Sequence, residues 1–404
     1  MRDLKKQLII LFSLPVMLFG AEQQNAKPET KTYVTRAVLQ KPKLLEIYKN
    51  TLPKWMKVDL KYKYNLPQYL EYTYIKSVDG NVREKPATDS SIVEKLPYNT
   101  KLGLVEKMEN SYGNVWYKVK TPSGKTGYIS ERLVNARVFR FDIMMGKIKE
   151  LEEFVTNERA NGKSVYTTNS YVPNPNNVNF KRQKDKYGVS LDQNILGYHG
   201  NEAIVVPDKS ILSLSSDNGN KAVVNVASIK DGPLTIDSRY LAKGREINEN
   251  FKKAIAIDIE NQNLGVFEKI NGQWTLISYV YTKTGTESEV GFETPRGFFL
   301  VPVLKYEMGY RSEIGENQGY AKYAIRFSGG GYLHGTPLNY EEDSNREYYK
   351  ALKETTLGTV PGTRKCVRTS EEHARFLFNW ILNGKTNPSH NEQYPSENVM
   401  MVIF

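Results

Sequence analysis

A chain of 404 residues with 56 Lys and Arg against 45 Asp and Glu carries a formal charge of +11 and one cysteine. A single cysteine excludes an internal disulfide framework, and the basic balance attracts polyanions such as nucleic acid, acidic lipid or anionic wall polymers. Twenty-seven tyrosines beside frequent Val, Ile and Thr favour sheet over helix; the length allows two or three domains, and no basic helix or nucleic-acid motif is visible.

The N-terminus reads as a secretory signal. Met1-Arg2-Asp3-Leu4-Lys5-Lys6 is basic, Leu8 to Phe19 is apolar, and Gly20-Ala21 offers small residues for cleavage before polar Glu22-Gln23-Gln24. The apolar run is short for a membrane span, which needs about 20 residues. Residues 1–21 are therefore expected to be a signal peptide, cleaved or kept as an anchor, and without them the charge is +9. Ala21 stands where a lipidated cysteine would be required, so no lipid is expected. Nothing later is apolar for long enough to span a bilayer, which sends the rest of the chain outside the cytoplasm.

Residues 22–74 are expected to be a linker and an irregular N-terminal region. The first part is Lys-rich and broken by Pro28 and Pro42; residues 51–74 mix Trp55 and many Tyr without a clear period. Residues 75–136 read as a small β-barrel. Asn81-Val82-Arg83-Glu84-Lys85-Pro86 opens it, Asn114 to Val119 alternates as a strand, Ser123-Gly124-Lys125 turns, and Gly127-Tyr128-Ile129 leads into Ser130 to Val134. This stretch resembles the bacterial SH3-like domain, whose modules bind cell-wall peptides or position a catalytic domain.

Residues 137–200 are expected to hold a connecting helix and an extended linker. Ile143, Ile148, Leu151, Phe154 and Val155 keep a helical period from Phe141 that stops at Asn161-Gly162, and Pro173 and Pro175 mark the extended part. Gly232 to Leu241 echoes Gly127 to Val134, which suggests a degenerate SH3-like repeat over 201–243, with chance similarity of two strand–turn segments as the alternative.

From residue 253 to 404 the pattern sharpens. Ala254 to Ile259 is an apolar strand, Asn261-Gln262-Asn263 a turn, and Leu264 to Lys269 its hairpin partner; Asn271-Gly272 signals a second tight turn. Glu371 to Leu382 is an amphipathic helix capped by Thr369 or Ser370. Cys366 sits in Thr363-Arg364-Lys365-Cys366-Val367-Arg368, downstream of Tyr332-Leu333-His334-Gly335-Thr336. Its basic and hydroxyl neighbours suit a reactive thiolate better than an apolar pocket, and His334 is the best-placed base among four histidines.

Residues 253–404 resemble an L,D-transpeptidase catalytic domain of the YkuD type. Thr294, Pro295, Gly297 and Phe298 match the family's T-P-x-G-x-F, while His334, Gly335 and Thr336 match H-G-T. Cys366, Val367 and Arg368 match the end of S-H-G-C-h-R (h for apolar), with Thr363 replacing Ser. The resemblance implies that the cysteine attacks an L-centre-to-D-Ala bond of a peptidoglycan stem tetrapeptide, expels D-Ala and passes the acyl group to an amine or to water. The expected fold is mainly β: an SH3-like barrel plus a C-terminal β-rich catalytic domain with a few helices. The expected partner is the peptidoglycan stem peptide, with no nucleic acid and no membrane contact beyond an uncleaved signal.

Acyl transfer needs an activated nucleophile and a pocket for the developing oxyanion. His334 is expected to take the thiol proton and Gly335 to let the backbone approach closely. Gly335, Thr336, Thr363, Arg364 and Lys365 are expected around the oxyanion or substrate, and Arg368, two residues beyond Cys366 on a strand, to grip a carboxylate. The chain departs from the family where Arg364 and Lys365 replace His and Gly. The lost glycine matters if that position needs positive φ, while the added cations are expected to favour thiolate. The charged, Tyr-rich excess at about Asn339 to Thr356 is either a lid or a surface insertion. His199, His373 and His390 are expected to be bystanders, and no metal or cofactor is expected. Transpeptidase, L,D-carboxypeptidase and a catalytically inactive wall-binding protein remain the competing readings; the sequence does not settle the oligomeric state.

Overall fold

The computed structural model describes residues 41–168, 194–241, 246–288, 291–312 and 316–404. The expected signal peptide, the linker up to residue 40 and the Pro-rich stretch 169–193 lie outside the described residues. No described helix is long and apolar enough to cross a membrane.

Among the described residues, nine strands precede the first α-helix: β1 (Lys43–Ile47), β2 (Lys57–Val58), β3 (Glu71–Ile75), β4 (Asp79–Arg83), β5 (Ile92–Pro97), β6 (Lys101–Glu109), β7 (Val115–Lys120), β8 (Thr126–Ser130) and β9 (Val134–Val138). All but β2 join one sheet in the order β5-β4-β8-β7-β6-β3-β9, with β1 beside β6. Ile75, Val82, Leu102, Leu104, Val119 and Ile129 close its interior. Residues 41–74 are thus no linker. Strand β3 is integral to the barrel, and β2 pairs in parallel with Thr275 and Leu276 far along the chain. The sequence showed no period here because β3 is covered on both faces: Ile75 enters the barrel interior while Tyr72 enters a second core shared with the C-terminal region. A strand buried on both sides loses the alternation by which strands are recognised.

Helix α1 (Phe141–Ala160) follows, and it is more than a connector: Met144, Ile148, Leu151 and Val155 are buried in one core with Ala254 and Ala256. Next come β10 (Val165–Thr167), β11 (Asn194–His199), β12 (Glu202–Pro207), β13 (Ile211–Asp217), β14 (Lys221–Val226) and β15 (Leu234–Asp237), in the sheet order β10-β13-β14-β15-β11-β12. The described ends of the expected extended linker are therefore strands of this second β-unit, which starts well before residue 201. The sequence echo has a structural counterpart. Strands β8 and β15 both run into a one-turn 3-10 helix, capped by Ser130 accepting from the Arg132 amide and by Asp237 accepting from the Arg239 amide.

The remaining elements are β16 (Lys253–Asp258), β17 (Asn263–Ile270), β18 (Gln273–Tyr281), β19 (Gly297–Leu300), β20 (Leu304–Arg311), β21 (Asn317–Ser328), β22 (Gly331–His334), β23 (Leu338–Asn339), α2 (Arg346–Glu354), β24 (Val367–Arg368), α3 (Glu371–Ile381), β25 (Glu392–Gln393) and β26 (Val399–Ile403). They make two sheets, β19-β26-β16-β17-β18-β2 and β24-β22-β21-β20-β25, the latter with β23 beside β21. Alternation along β16 sends Ala254 and Ala256 toward α1, and Ile255 and Ile257 toward Ile325, Phe327, Leu333 and Phe378. Each large side chain fully buried this way contributes about 1.5–3 kcal/mol.

Polar pins join the barrel's exit to this sheet. Arg140 donates from Nε and Nη2 to the buried Asp258 carboxylate at 2.7 and 2.8 Å. The Asn261 side-chain carbonyl accepts from the Val138 amide at 2.9 Å.

Candidate active site

A cleft of about 240 Å³ opens where the His334 end of β22 meets β24 and the segment leading into it. Among its lining residues are His334, Cys366, Arg368, Thr363, Arg364 and Tyr310. Strand β22 carries His334 to the rim, and its parallel pairing with β24 sets Leu333 against Val367 and His334 against Arg368. Val367 is fully buried in the core, so its neighbours Cys366 and Arg368 turn the other way, into the cleft.

His334 is buried, and its Nδ1 lies 2.7 Å from the Gly335 carbonyl. A carbonyl only accepts, so Nδ1 carries the proton and Nε2 keeps a lone pair. Burial, with a smaller push from the Arg368 charge, drops the imidazole pKa to about 4 against the opposing Gly335 bond. The ring is a neutral base at neutral pH.

Cys366 is half-buried. Its Sγ faces the Gly330 carbonyl at 3.9 Å. Burial pushes the thiol up, while a bond from the Tyr332 backbone and the Lys365 charge pull more weakly the other way. This corrects the expectation of a thiolate held by adjacent cations. Arg364 turns aside to donate to the Arg311 carbonyl at 2.9 Å, and the buried Lys365 spends its ammonium on the Gly329 carbonyl. A neutral thiol and a neutral imidazole therefore share the cleft.

The backbone before Cys366 is shaped from outside. Lys365 has φ +114, so the position does demand a conformation that L-residues resist. Thr294 holds it there: its hydroxyl accepts from the Gly285 amide at 2.7 Å and donates to the Lys365 carbonyl at 2.8 Å. Thr363 donates to the Cys366 carbonyl at 2.5 Å. Gly285 admits no side chain, since a Cβ would lie 2.7 Å from the Lys365 Cα and 2.5 Å from the Phe292 carbonyl.

Further back, the barrel grips the segment leading into this loop. Lys101 donates to the Thr355 carbonyl at 2.8 Å, Tyr72 to the Gly358 carbonyl at 2.8 Å and Arg137 to the Thr359 carbonyl at 3.4 Å. Gly358, at φ +77, lies so near that a Cβ would stand 2.8 Å from the Tyr72 hydroxyl.

Other expected site residues fall elsewhere. Gly335 orients His334 through its carbonyl but does not line the cleft. Thr336 is buried and donates to Glu354 at 2.6 Å, tying α2 to the body of the domain. Arg368 makes no described ion pair; its Nη2 donates to the Thr356 hydroxyl at 2.7 Å and the Lys353 carbonyl at 3.2 Å. The 339–356 insertion is anchored to the domain and contributes no residue to the cleft lining: Arg346 Nη2 donates to both Glu371 carboxylate oxygens at 2.8–2.9 Å, and Tyr320 donates to Asp343 at 2.6 Å. His373 lies in the core, 2.8 Å from the Ser278 hydroxyl. Sequence reasoning missed Thr294 as a holding residue and the Gly329-Gly330-Gly331 turn, whose backbone faces Lys365 and Cys366. Three consecutive glycines just before Tyr332-Leu333-His334 were the available signal.

Comparison with known proteins bears on the same regions. Residues 252–390 match the YkuD model of the L,D-transpeptidase catalytic domain, and residues 77–135 match the bacterial SH3 domain model. No curated protein matches the sequence. Similar solved structures include a fused Zn-dependent amidase/peptidase/peptidoglycan-binding domain-containing protein from Clostridium acetobutylicum (16% identity, 38% of this chain and 52% of that one, TM-score 0.24). Others are an L,D-transpeptidase from Mycobacterium smegmatis (13%, 52% and 77%, TM-score 0.27) and L,D-transpeptidase 1 from Mycobacterium tuberculosis (14%, 52% and 82%, TM-score 0.25). The match spans about half the length of the Clostridium protein. The chain carries an L,D-transpeptidase catalytic domain of the YkuD type, preceded by a bacterial SH3-like domain.

Proposed function

We propose that the protein is a peptidoglycan L,D-transpeptidase of the cell envelope that uses Cys366 as nucleophile and His334 as base. The observation that carries this reading is the shared cleft: a thiol and an imidazole whose tautomer leaves Nε2 as the acceptor line one cavity.

In the proposed cycle, Nε2 removes the Sγ proton as sulfur attacks the carbonyl of the penultimate residue of a stem tetrapeptide. The tetrahedral oxyanion is met by backbone N–H groups around Cys366. Collapse breaks the C–N bond to D-Ala, whose amine takes the proton back from the imidazolium, leaving a thioester on Cys366. An acceptor amine then attacks the thioester, loses its proton to His334 and departs as a new amide, while the thiol is restored. Starting from a neutral pair suits this cycle, because the base is unprotonated throughout the neutral range. The strained Lys365 backbone supports an active site over an abandoned one, since the loop geometry persists at a cost of about 1–3 kcal/mol.

Purified protein incubated with disaccharide-tetrapeptide, with and without an amine acceptor, tests the reading. Cross-linked dimer and free D-Ala are expected. Tripeptide alone in the presence of acceptor would make it an L,D-carboxypeptidase, and no turnover would leave a wall-binding protein.

A further inference from the structure

Three cations converge behind the cleft without a carboxylate partner. Arg368 and Lys283 sit directly opposite one another on paired backbones: the Lys283 amide donates to the Arg368 carbonyl at 2.9 Å and the Arg368 amide returns the bond at 2.8 Å. Residues so paired project to the same face, where like charges repel. Lys283 donates from Nζ to the Val360 carbonyl at 2.8 Å, and its Cε and Nζ lie 2.9 and 3.3 Å from where a Cβ of Gly362 would stand. Gly362 lines the cleft, and the Lys283 ammonium sits directly behind it. Lys101, from the barrel, reaches the Thr355 carbonyl of the same segment.

Every hydrogen bond described for these three cationic groups ends on a carbonyl or hydroxyl, and no described residue forms an ion pair with any of them. The Arg368 Nε is buried with no partner at all. Glu354 acts on Arg368 through its charge but makes no described hydrogen bond to it; its Oε1 accepts from the Thr336 hydroxyl and the Glu371 amide. Burial, reinforced by mutual repulsion, brings Lys101 and Lys283 down to about 8. Holding unmatched cations together out of water opposes folding. A ligand that brings a negative charge relieves that opposition.

We propose that Arg368, Lys283 and Lys101 form a recess for the free C-terminal carboxylate of the substrate peptide, with the barrel supplying one of the three charges. The geometry suits the proposed reaction. Two residues of strand separate Cys366 from Arg368, about 7 Å, and the carboxylate of the departing residue lies one residue beyond the attacked carbonyl. The guanidinium Nε, now unpartnered, is the donor that such a carboxylate would complete. This recess rests on the reading of Cys366 as nucleophile for its orientation, but its anion preference is measurable without chemistry.

The test compares a stem tetrapeptide ending in D-Ala as the free acid with the same peptide as the C-terminal amide. Calorimetric binding to full-length Cys366→Ala protein is expected to favour the acid at least ten-fold. Lys283→Gln, which keeps a donor and removes the charge, is expected to weaken the acid about ten-fold and the amide less than two-fold; Lys101→Gln about three-fold and not at all. Equal affinity for acid and amide in the parent, or equal weakening of both by the Gln variants, overturns the recess. The parent comparison needs no lysine variant, so a poorly folding Gln protein does not rescue the proposal. Turnover of acid and amide at equal rates by the native enzyme sinks the recess and leaves the nucleophile standing. Acid-selective binding without any turnover does the reverse.

Discussion

The two walls of the cleft are built in different ways. The histidine wall is an interior strand: β22 lies between β21 and β24, Leu333 is locked in the core, and His334 is oriented by the very next carbonyl. The cysteine wall is a loop whose shape is imposed from afar. Thr294 holds it from 71 positions away, and Tyr72 grips its approach from 286. A ladder places a side chain through the neighbours in its own strand, whereas a loop in a resisted conformation keeps its shape only while distant groups hold it. The cysteine wall should therefore be the more sensitive to changes made outside the cleft.

The largest effects test whether both walls are needed. Cys366→Ser is expected to reduce turnover of tetrapeptide by at least about a thousand-fold with an unchanged circular-dichroism spectrum, because the hydroxyl is far harder to ionise. His334→Ala is expected to cost about 10²–10⁴ in rate, with only partial rescue at high pH, since hydroxide takes the thiol proton but does not protonate the leaving amine. Full activity in either variant breaks the comparison at its root.

Thr294→Val sharpens it. The change keeps shape but strands the Gly285 amide and the Lys365 carbonyl in a buried place, a penalty of about 1–3 kcal/mol for each. Denaturant unfolding should register the loss of stability, and kcat should fall ten-fold or more. An unaltered kcat would mean the loop holds itself.

Acid tests the histidine wall. His334, held at about 4, and His373, held at about 3, are both neutral and buried in the folded chain, against about 6.5 when unfolded. The unfolded chain binds more protons between those values, so the stability these residues confer is complete above about pH 6.5 and drains as pH falls toward 4. The full loss should be about 3 kcal/mol for His334 and about 5 kcal/mol for His373 by linkage once pH has fallen through their folded values, visible as a falling Tm that His373→Gln makes shallower. Thiol alkylation gives the matching measurement for Cys366: its pH midpoint is expected above that of a free thiol, because burial outweighs the Lys365 charge. A midpoint below neutral would restore the thiolate picture.

The smallest expected effect is the most pointed. Tyr72→Phe removes one hydroxyl of the barrel from the Gly358 carbonyl. It is expected to cost about 1 kcal/mol and lower kcat two- to five-fold with little change in KM. A loss confined to KM would make the barrel a substrate tether rather than a support for the cysteine wall.

Much of this was legible in the residues themselves. The repeated short strands of 77–135, helix α1, the Ala254-Ile255-Ala256-Ile257 strand and the Ser370-capped helix α3 all announce themselves through local period and capping. So do the three motifs at Thr294, His334 and Cys366, since their order along the chain is a property of sequence. What stayed hidden was whatever depends on two covers at once. Strand β3 shows no alternation because both faces are buried, and the ends of the 163–200 stretch look like linker because their partners lie in β13, β12 and β15.

The sequence by itself determined which chemical groups are present: the thiol, the imidazole and the hydroxyls. Only the tertiary structure decided their state. Whether Arg364 and Lys365 ionise the thiol depends on where their charges point, and carbonyls from Arg311 and Gly329 draw both away. Desolvation is a property of everything packed around a group rather than of its chain neighbours. For that reason a stretch that reads as a thiolate nest folds into a neutral thiol beside a neutral base.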